Sequence, residues 1–169
     1  MTITLPELIT EVLEELIPVD VQKEALAALF ELVPGITTVY PKRPEALQSP
    51  HLPALILFPG SARCDGGMYQ GSLRIVREWF ARLYVEELET GREFDVEMAV
   101  GPFVERLAIA VAAVPFVPIA DGRAFAMQPT VNSAAQPLSY NNKAYAGVEQ
   151  RFTTDVEATV PRFCLAPTS

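Results

Sequence analysis

The chain has 169 residues, half of them hydrophobic, and a formal net charge of −8. This composition is typical of one folded domain with a hydrophobic core, and it excludes a disordered chain. The negative charge argues against a DNA-binding surface on the protein as a whole. No apolar run reaches the roughly 18 to 20 residues of a membrane span. Acids stand where a signal peptide carries bases, so we expect a cytosolic protein whose Cys64 and Cys164 are free thiols.

Two helices are predicted at the start of the chain. Apolar residues recur at three- and four-residue steps from residue 5 to residue 17, which gives one apolar stripe. Thr4 and Glu7 have the spacing of a capping box. Asp20 is placed to cap a second helix, which Pro34 and the following glycine stop.

The hydrophobic period then changes to that of β-strands. Residues 36–41, ITTVYP, predict a short strand, and residues 52–60, LPALILFPG, predict a buried or edge strand bounded by prolines. No P-loop lysine follows, and Ser61 lacks the frame of a nucleophile elbow. The run therefore predicts one leg of a hairpin, with residues 65–67 as turn material and a long returning strand at 72–88.

The second half of the chain predicts one more helix and a closing pair of strands. Pro102 is placed to open a helix that ends at Pro115. Strands follow at 123–131 and 145–160, and the polar segment 132–144 between them predicts a loop. The order of elements predicts an α+β fold: a mainly antiparallel β-sheet with helices packed on one side, in a single domain that spans the whole chain.

The patterns also predict which side chains are buried and which segments project. Trp79 and Phe152 are expected on the buried sides of their strands, and Leu13 and Leu107 are expected to bury their helices against the sheet. Residues 61–71 and the polar loop before the last strand are nearly free of large apolar groups. We expect both segments to be mobile loops at the ends of the sheet.

Residue types that carry chemistry are sparse. His51, the only histidine, has no nucleophile at a motif spacing, and together with the two cysteines it does not form a zinc pattern. The acids of residues 86–97 lack the order of an EF-hand loop, so a solvated acidic segment is expected. The residues therefore indicate no cofactor site, no metal site and no catalytic motif.

Charge is unevenly distributed along the chain. Residues 1–33 carry seven acids and one lysine, residues 86–97 carry six acids and one arginine, and residues 42–82 carry six bases and three acids. Ordinary solvated faces account for this pattern, but a chain with acidic and basic regions is also able to pair with copies of itself. The candidate residues for such an interface are Arg74, Arg77, Arg82, Glu86, Glu87, Glu93 and Asp95.

The order of parts also resembles a known family. After the N-terminal amphipathic helix come the strand LPALILFPG, the long strand REWFARLYV, the helix GPFVERLAIAVAAVP and a closing hairpin that ends in YAGVEQRFTTDVEATV. This order resembles that of the tail terminator (tail completion) proteins of long-tailed bacteriophages, over almost the whole chain. The motifs are patterns of residue type rather than fingerprints.

The resemblance implies a virion structural protein rather than an enzyme. Such proteins assemble in the host cytoplasm as a ring, typically of six subunits, at the neck end of the tail, without a membrane. The ring stops polymerisation of the tail tube protein and provides the joining surface for the head, through a connector or head-closure protein. Genome DNA passes through its lumen without specific binding. Residues expected to grip the tube or the connector are Arg63, Asp65, Tyr69, Asn132, Gln136, Tyr140, Asn141 and Lys143.

Two alternatives stay open from the sequence. One is a small α+β enzyme or ligand-binding domain with a concave site near His51 or Arg77, which predicts a monomer or dimer. The other is a different neck or tail subunit, such as a head-closure or tube protein.

Overall fold

A computed structural model describes residues 2–65, 71–89, 96–159 and 164–165, with no side-chain detail for residues 131–133 and 164–165. The helices are α1 Leu5–Glu15, α2 Val19–Glu31 and α3 Val96–Ala113. The strands are β1 Thr2–Ile3, β2 Thr38–Tyr40, β3 Ala54–Asp65, β4 Ser72–Glu87, β5 Phe116–Pro118, β6 Ala124–Tyr140, β7 Lys143–Thr159 and β8 Cys164–Leu165. A short 3₁₀ turn, Ser49–His51, precedes β3.

Six of the strands form one sheet in the order β2-β3-β4-β7-β6-β5. Every pairing in it is antiparallel except that of β2 with β3. The strands β1 and β8 form a separate parallel pair. One core cluster contains buried side chains from α2, from α3 and from one face of the sheet, and the partly buried Val12 of α1 packs against it. The prediction of an α+β fold with helices on one side of a mainly antiparallel sheet is confirmed.

The starts of the first two helices differ from each other. The capping box at α1 is confirmed, because the Thr4 amide donates to Glu7 Oε2 at 2.8 Å and the Glu7 amide donates to Thr4 Oγ1. The prediction that Asp20 caps α2 is wrong. The helix begins one residue earlier, at Val19, behind Pro18, whose side chain makes no capping hydrogen bond. Asp20 lies in the first turn, where a carboxylate favours the positive end of the helix dipole.

The centre of the core contains a buried polar chain beside stacked aromatic rings. Trp79 and Phe152 are fully buried, as predicted, and their rings stack with centroids 6.5 Å apart. The Trp79 indole Nε1 donates to Thr154 Oγ1 at 2.7 Å, and that hydroxyl donates to Gln22 Oε1 at 2.8 Å. Gln22 Nε2 in turn donates to the carbonyl of Ile17 at 2.9 Å. This chain joins α2 to β4 and β7 and satisfies polar groups that burial would otherwise penalise.

A smaller cluster covers part of the opposite face of the sheet. Tyr84, Tyr140 and Tyr145 make edge-to-face contacts there, with ring centroids 5.5 Å and 5.6 Å from Tyr84. Leu47, from the segment between β2 and β3, packs into the same cluster. The Tyr140 hydroxyl donates to the carbonyl of Pro44. The segment between β2 and β3 therefore closes one end of the face that the helices leave uncovered.

Four further expectations about local structure are wrong. Residues 61–65, predicted to begin a projecting loop, belong to β3, because they pair with β4 beyond the irregularity at Pro59. Leu13 is 60 % exposed, whereas Leu107 is fully buried as predicted. Pro102 lies inside α3 rather than at its start. Residues 132–140 belong to β6, and the connection to β7 is the two-residue turn Asn141–Asn142, whose φ values are +47° and +63°. Two positive φ values in a two-residue connection fit the right-handed twist of the flanking strands, which explains why asparagines occupy it.

Candidate interaction surfaces

The uncovered sheet face presents a carboxylate held between two arginines. Glu149 on β7 accepts hydrogen bonds from Arg82 Nε at 2.7 Å and from Arg151 Nε at 2.8 Å. Its side chain is 8 % exposed. Burial by itself raises the pKa of Glu149, but the hydrogen bonds from Arg151 and Arg82 outweigh it and hold the pKa below its usual value.

The same arginines lie over aromatic rings. The Arg82 guanidinium stands 5.1 Å from the Phe58 ring centroid and 5.8 Å from that of Phe80. Arg151 stands 5.2 Å from the Phe80 centroid on the other side. These cation–π contacts and the shared carboxylate fix the guanidinium planes of both arginines.

Most of the predicted interface bases and one of the acids form ion pairs within the chain. Arg74 pairs with Asp155, and Lys143 pairs with Glu87 at 2.9 Å. Arg77 is half-buried, and its Nη1 donates to the carbonyl of Gly60 at 3.4 Å. Glu86 is exposed at the end of β4. Glu93 and Asp95 lie outside the described residues. Contacts of these residues with another copy stay a prediction.

The residues predicted to grip a tube or a connector lie mainly on strands. Arg63 and Asp65 pair with each other at 3.0 Å near the end of β3. Asn132, Gln136 and Tyr140 belong to β6, and Tyr140 is 3 % exposed, so it is not available to a partner. Lys143 opens β7, and Asn141 alone lies in the turn, where its Nδ2 donates to the carbonyl of Glu45. Tyr69 lies outside the described residues.

Two strand edges of the sheet are free over much of their length. β2 pairs only with Ala54–Ile56, and β5 pairs only with Ala124–Ala126. Among the described residues, 57–65 of β3 and 127–140 of β6 therefore have a strand on one side only. The sequence patterns did not predict these edges, because the short partners β2 and β5 are visible only once strand order is known.

Prolines interrupt these free edges. Pro59 in β3 and Pro129 in β6 each lie next to an irregularity in the register, and Pro137 lies further along β6 in a regularly paired part. Proline has no amide hydrogen, so each of these residues removes one donor from its strand. Residues 60–65 and 130–136 are the longest free stretches without a proline.

A polar cleft of about 260 Å³ also opens on the sheet. It is lined by Ser61, Arg63, Val76, Glu78 and Thr153. Its volume is below the roughly 300–1,000 Å³ of ligand pockets. Neither His51 nor Arg77, the residues named for the alternative of a small enzyme, lines this cleft. His51 is exposed, and its Nδ1 lies 2.9 Å from the Tyr40 hydroxyl.

In the described part of the chain, no group of three or more His, Cys, Asp and Glu side chains is arranged to hold a metal ion. Over the same residues, no helix has both the length and the apolar character needed to cross a membrane. No protein-family model and no curated protein sequence matches the chain.

Proposed function

We propose that this chain is a virion structural protein that assembles as a ring on the end of a phage tail tube, stops tube growth and provides the joining surface for the head or its connector. The proposal begins from the resemblance of the order of its elements to that of tail terminator proteins. It is supported by the architecture, in which three helices cover one face of a single sheet.

The observation that carries the proposal is the pair of free edges on opposite sides of the sheet. From the pairings β3–β4, β4–β7 and β7–β6, strands β3 and β6 run in opposite directions. If copies are related by rotation about an axis inclined to the strands, as it is in a β-barrel, neighbouring edges are staggered and the free part of β3 of one copy meets that of β6 of the next in antiparallel orientation. Such a contact joins two different surfaces, so it is heterologous and closes into a ring when the rotation closes. Unpaired edge strands are templates for pairing with another chain.

The prolines restrict how this pairing is made. Between Pro129 and Pro137 the β6 edge offers residues 130–136, and beyond Pro59 the β3 edge offers residues 60–65. These two stretches are of similar length. The prolines on either side therefore select one register and disfavour pairing along the whole edge, which would lead to open aggregates.

The charge pairs on the uncovered face are compatible with a channel for DNA. In a closed ring the helices lie on one side of the wall and this face lies on the other. Arg74 is bound to Asp155, while Arg82 and Arg151 share the single carboxylate of Glu149, and Glu78 lies close enough to Arg151 to interact with its charge. Three carboxylates beside three arginines leave little net positive charge to hold a phosphate backbone, so DNA would pass without binding.

The capping function is tested on growing tail tubes. The purified chain is added to tube protein from the same phage during polymerisation, and tubes are measured by negative-stain electron microscopy. We expect shorter tubes with a ring at one end. Tubes of unchanged length with bare ends, over a range of chain-to-tube ratios, would contradict the capping proposal.

The edge contact is tested by disulfide crosslinking to the native thiol of Cys64, which is exposed on β3. In a Cys164→Ser background, single cysteines are introduced at successive non-proline positions from 130 to 136. Adjacent antiparallel strands place opposed Cα atoms roughly 4.5–5.5 Å apart, within disulfide range. We expect crosslinks at a few positions, in a ladder that reaches the ring size. The same cysteines with Cys64→Ser are the control. A ring that forms no crosslink at any position would place the interface elsewhere.

A further inference from the structure

The polar cleft on the uncovered sheet face begins at the free edge of β3. Its lining residues follow one another inward from that edge, from β3 through β4 to β7: Ser61, Arg63, Val76, Glu78 and Thr153. Ser61 and Arg63 belong to the stretch 60–65, the part of β3 that the ring proposal pairs with the next copy. A strand of that copy placed along the edge therefore lies at the open end of the cleft.

Glu78 gives the cleft a carboxylate that lacks a donor. The residue is half-buried, and no hydrogen bond or ion pair involves its side chain in the described part of the chain. Its charge acts on Arg151, but the two side chains form no ion pair. A carboxylate that loses water without gaining a donor is unfavourable, so a group that donates to Glu78 would stabilise the site.

Glu78 also lies close to the free edge. Gly60 stands between it and that edge without a side chain, and a Cβ at Gly60 would be only 3.2 Å from the Cβ of Glu78. Adjacent strands are about 4.8 Å apart, so the strand of the next copy would lie about two such spacings from β4. Two long side chains that extend toward each other bridge this distance.

The other polar groups of the cleft favour a neutral donor. Arg63 places a positive charge beside the opening, which disfavours an ammonium group, and Ser61 and Thr153 each offer a hydroxyl. A primary amide matches this set, because its nitrogen donates to a carboxylate while its oxygen accepts from a hydroxyl. The small volume of the cleft suits one side chain better than a whole ligand.

The facing stretch of β6 contains such an amide. Residues 130–136, TVNSAAQ, carry no charge. Gln136 is half-buried, and its side chain makes no hydrogen bond with the described residues. Ala134, two residues earlier, lies opposite Glu149 of the uncovered face, so Gln136 is on that face as well.

Strand pairing places this amide at the cleft. In antiparallel pairing, opposed residues share a face of the sheet. Two registers meet this condition and keep most of both proline-free stretches paired: Ser61 faces Ala134 in the first and Gln136 in the second. The alanine has no polar atom to offer the cleft. The second register places the Gln136 amide at its opening.

We propose that Gln136 of one copy enters the cleft of the next copy, where its amide donates a hydrogen bond to the Glu78 carboxylate. The inference rests on the proposed ring and names the contact that fixes its register. It assigns Gln136 to the contact between copies rather than to the tube or the connector. A hydrogen bond to an ionised acceptor is among the stronger kinds, so this single pair is able to select one register over the other.

A reciprocal exchange of the two side chains tests the contact. Dissociation of the full-length ring is followed by sedimentation equilibrium on dilution. Gln136→Glu brings two carboxylates together and should raise the concentration of half-dissociation by at least about tenfold. Adding Glu78→Gln to the same chain restores an amide opposite a carboxylate, with the ends exchanged. This double variant should return to within about threefold of the wild type.

Matched variants control for charge and for folding. Gln128→Glu adds the same charge on the same face of β6, at an exposed residue that lies before Pro129 and outside the paired stretch, and it should leave dissociation unchanged. Gln136→Ala removes the amide without adding charge and should weaken the ring by about tenfold. Circular dichroism verifies that each variant is folded.

Disulfide crosslinking gives a second test, of the register itself. In the Cys164→Ser background, the proposed register places Cys64 opposite position 133, whereas the other register places it opposite position 131. We expect the strongest crosslink from a cysteine introduced at 133. The strongest crosslink at 131 would place Ala134 opposite Ser61 and overturn the inference.

The outcomes separate this inference from the ring on which it rests. A wild-type ring that Gln136→Glu and Gln136→Ala leave unchanged, or a loss that Glu78→Gln does not restore, would reject the contact and leave the ring standing. Equal losses from Gln128→Glu and Gln136→Glu would also reject it, because any added charge would then act alike. A wild-type chain that is monomeric at every concentration would reject the ring and the contact together.

Discussion

The buried hydrogen bonds that link Trp79, Thr154 and Gln22 predict that one substitution, Thr154→Val, strongly lowers stability. Thr154→Val keeps the shape and the β-branch of the side chain but removes the hydroxyl. That hydroxyl accepts from the Trp79 indole and donates to the amide oxygen of Gln22. Valine leaves both partners in place without a hydrogen bond. Because Trp79 is fully buried and Gln22 is only 4 % exposed, water does not replace the lost contact.

The magnitude follows from the two orphaned groups. Leaving one buried donor or acceptor unsatisfied costs roughly 1–3 kcal/mol. Two such groups predict a loss of roughly 2–6 kcal/mol in the free energy of unfolding. Gln22 keeps its second bond, to the carbonyl of Ile17 at 2.9 Å, so its side chain cannot easily rotate to find a new partner. For a chain of this length, the loss corresponds to a fall in Tm of roughly 5–20 °C.

The assay is urea unfolding followed by tryptophan fluorescence, which reports on Trp79 itself, the only tryptophan in the chain. Thr153→Val is the matched control, because Thr153 is the neighbouring residue on β7 and is partly exposed on the opposite side of the sheet. We expect the control to change stability by less than about 1 kcal/mol. If Thr154→Val lost no more than the control, the hydrogen-bonded chain would not contribute to the stability of the core, and the reasoning would be wrong.

Three further predictions concern a charge, the core and a turn. Because the pKa of Glu149 is held low in the folded protein, its carboxylate stabilises the fold above the unfolded pKa of about 4.3. This contribution is lost as the pH falls through the lower folded pKa. The Glu149→Gln variant should therefore lose less stability than the wild type between pH 7 and pH 3, as measured by urea midpoints. Phe152→Ala should lower the free energy of unfolding by about 3–5 kcal/mol, whereas Leu13→Ala should lower it by less than about 1 kcal/mol. Equal Tm values for the two variants would show that our assignment of the buried side is wrong. Asn142→Val should lower the free energy of unfolding by roughly 1–2 kcal/mol, because a β-branched residue is strained at the positive φ of position 142. Asn142→Gly should not lower it, and equal thermal stability of the two variants would argue against the turn geometry.

The periodic patterns predicted the helices, the long strands and the buried faces. Trp79, Phe152 and Leu107 are buried as expected, because alternation and helical spacing report directly on which side of an element faces the core. Leu13 shows the limit of this reasoning. The apolar stripe of α1 is wider than the surface that docks on the sheet, and periodicity cannot tell which part of a wide stripe is covered.

The extent of β6 was missed for a different reason. Its second half contains small polar residues and Pro137, a composition typical of loops. Strand pairing with β7 prevails over that local preference, and the prolines are tolerated because β6 has a partner on one side only over this stretch. The paired asparagines 141 and 142 were the signal of a two-residue hairpin turn.

The charged interface could not be resolved from the sequence, because strand register decides which charges meet. Arg82 and Glu149 are separated by 67 positions in the chain and yet face each other across β4 and β7. Regional charge counts therefore pointed to pairing between copies, while the sheet already brings several of these bases to acids of the same chain.

The measurement that tests the ring most directly is the mass of the purified chain in solution, by sedimentation equilibrium over a range of concentrations at low salt. Six copies of the 18.5 kDa chain correspond to about 111 kDa, and the account predicts a closed species of this kind that does not grow with concentration. A mass of 18.5 kDa at every concentration, or a mass that rises without limit, would contradict a closed ring built from the free edges of β3 and β6.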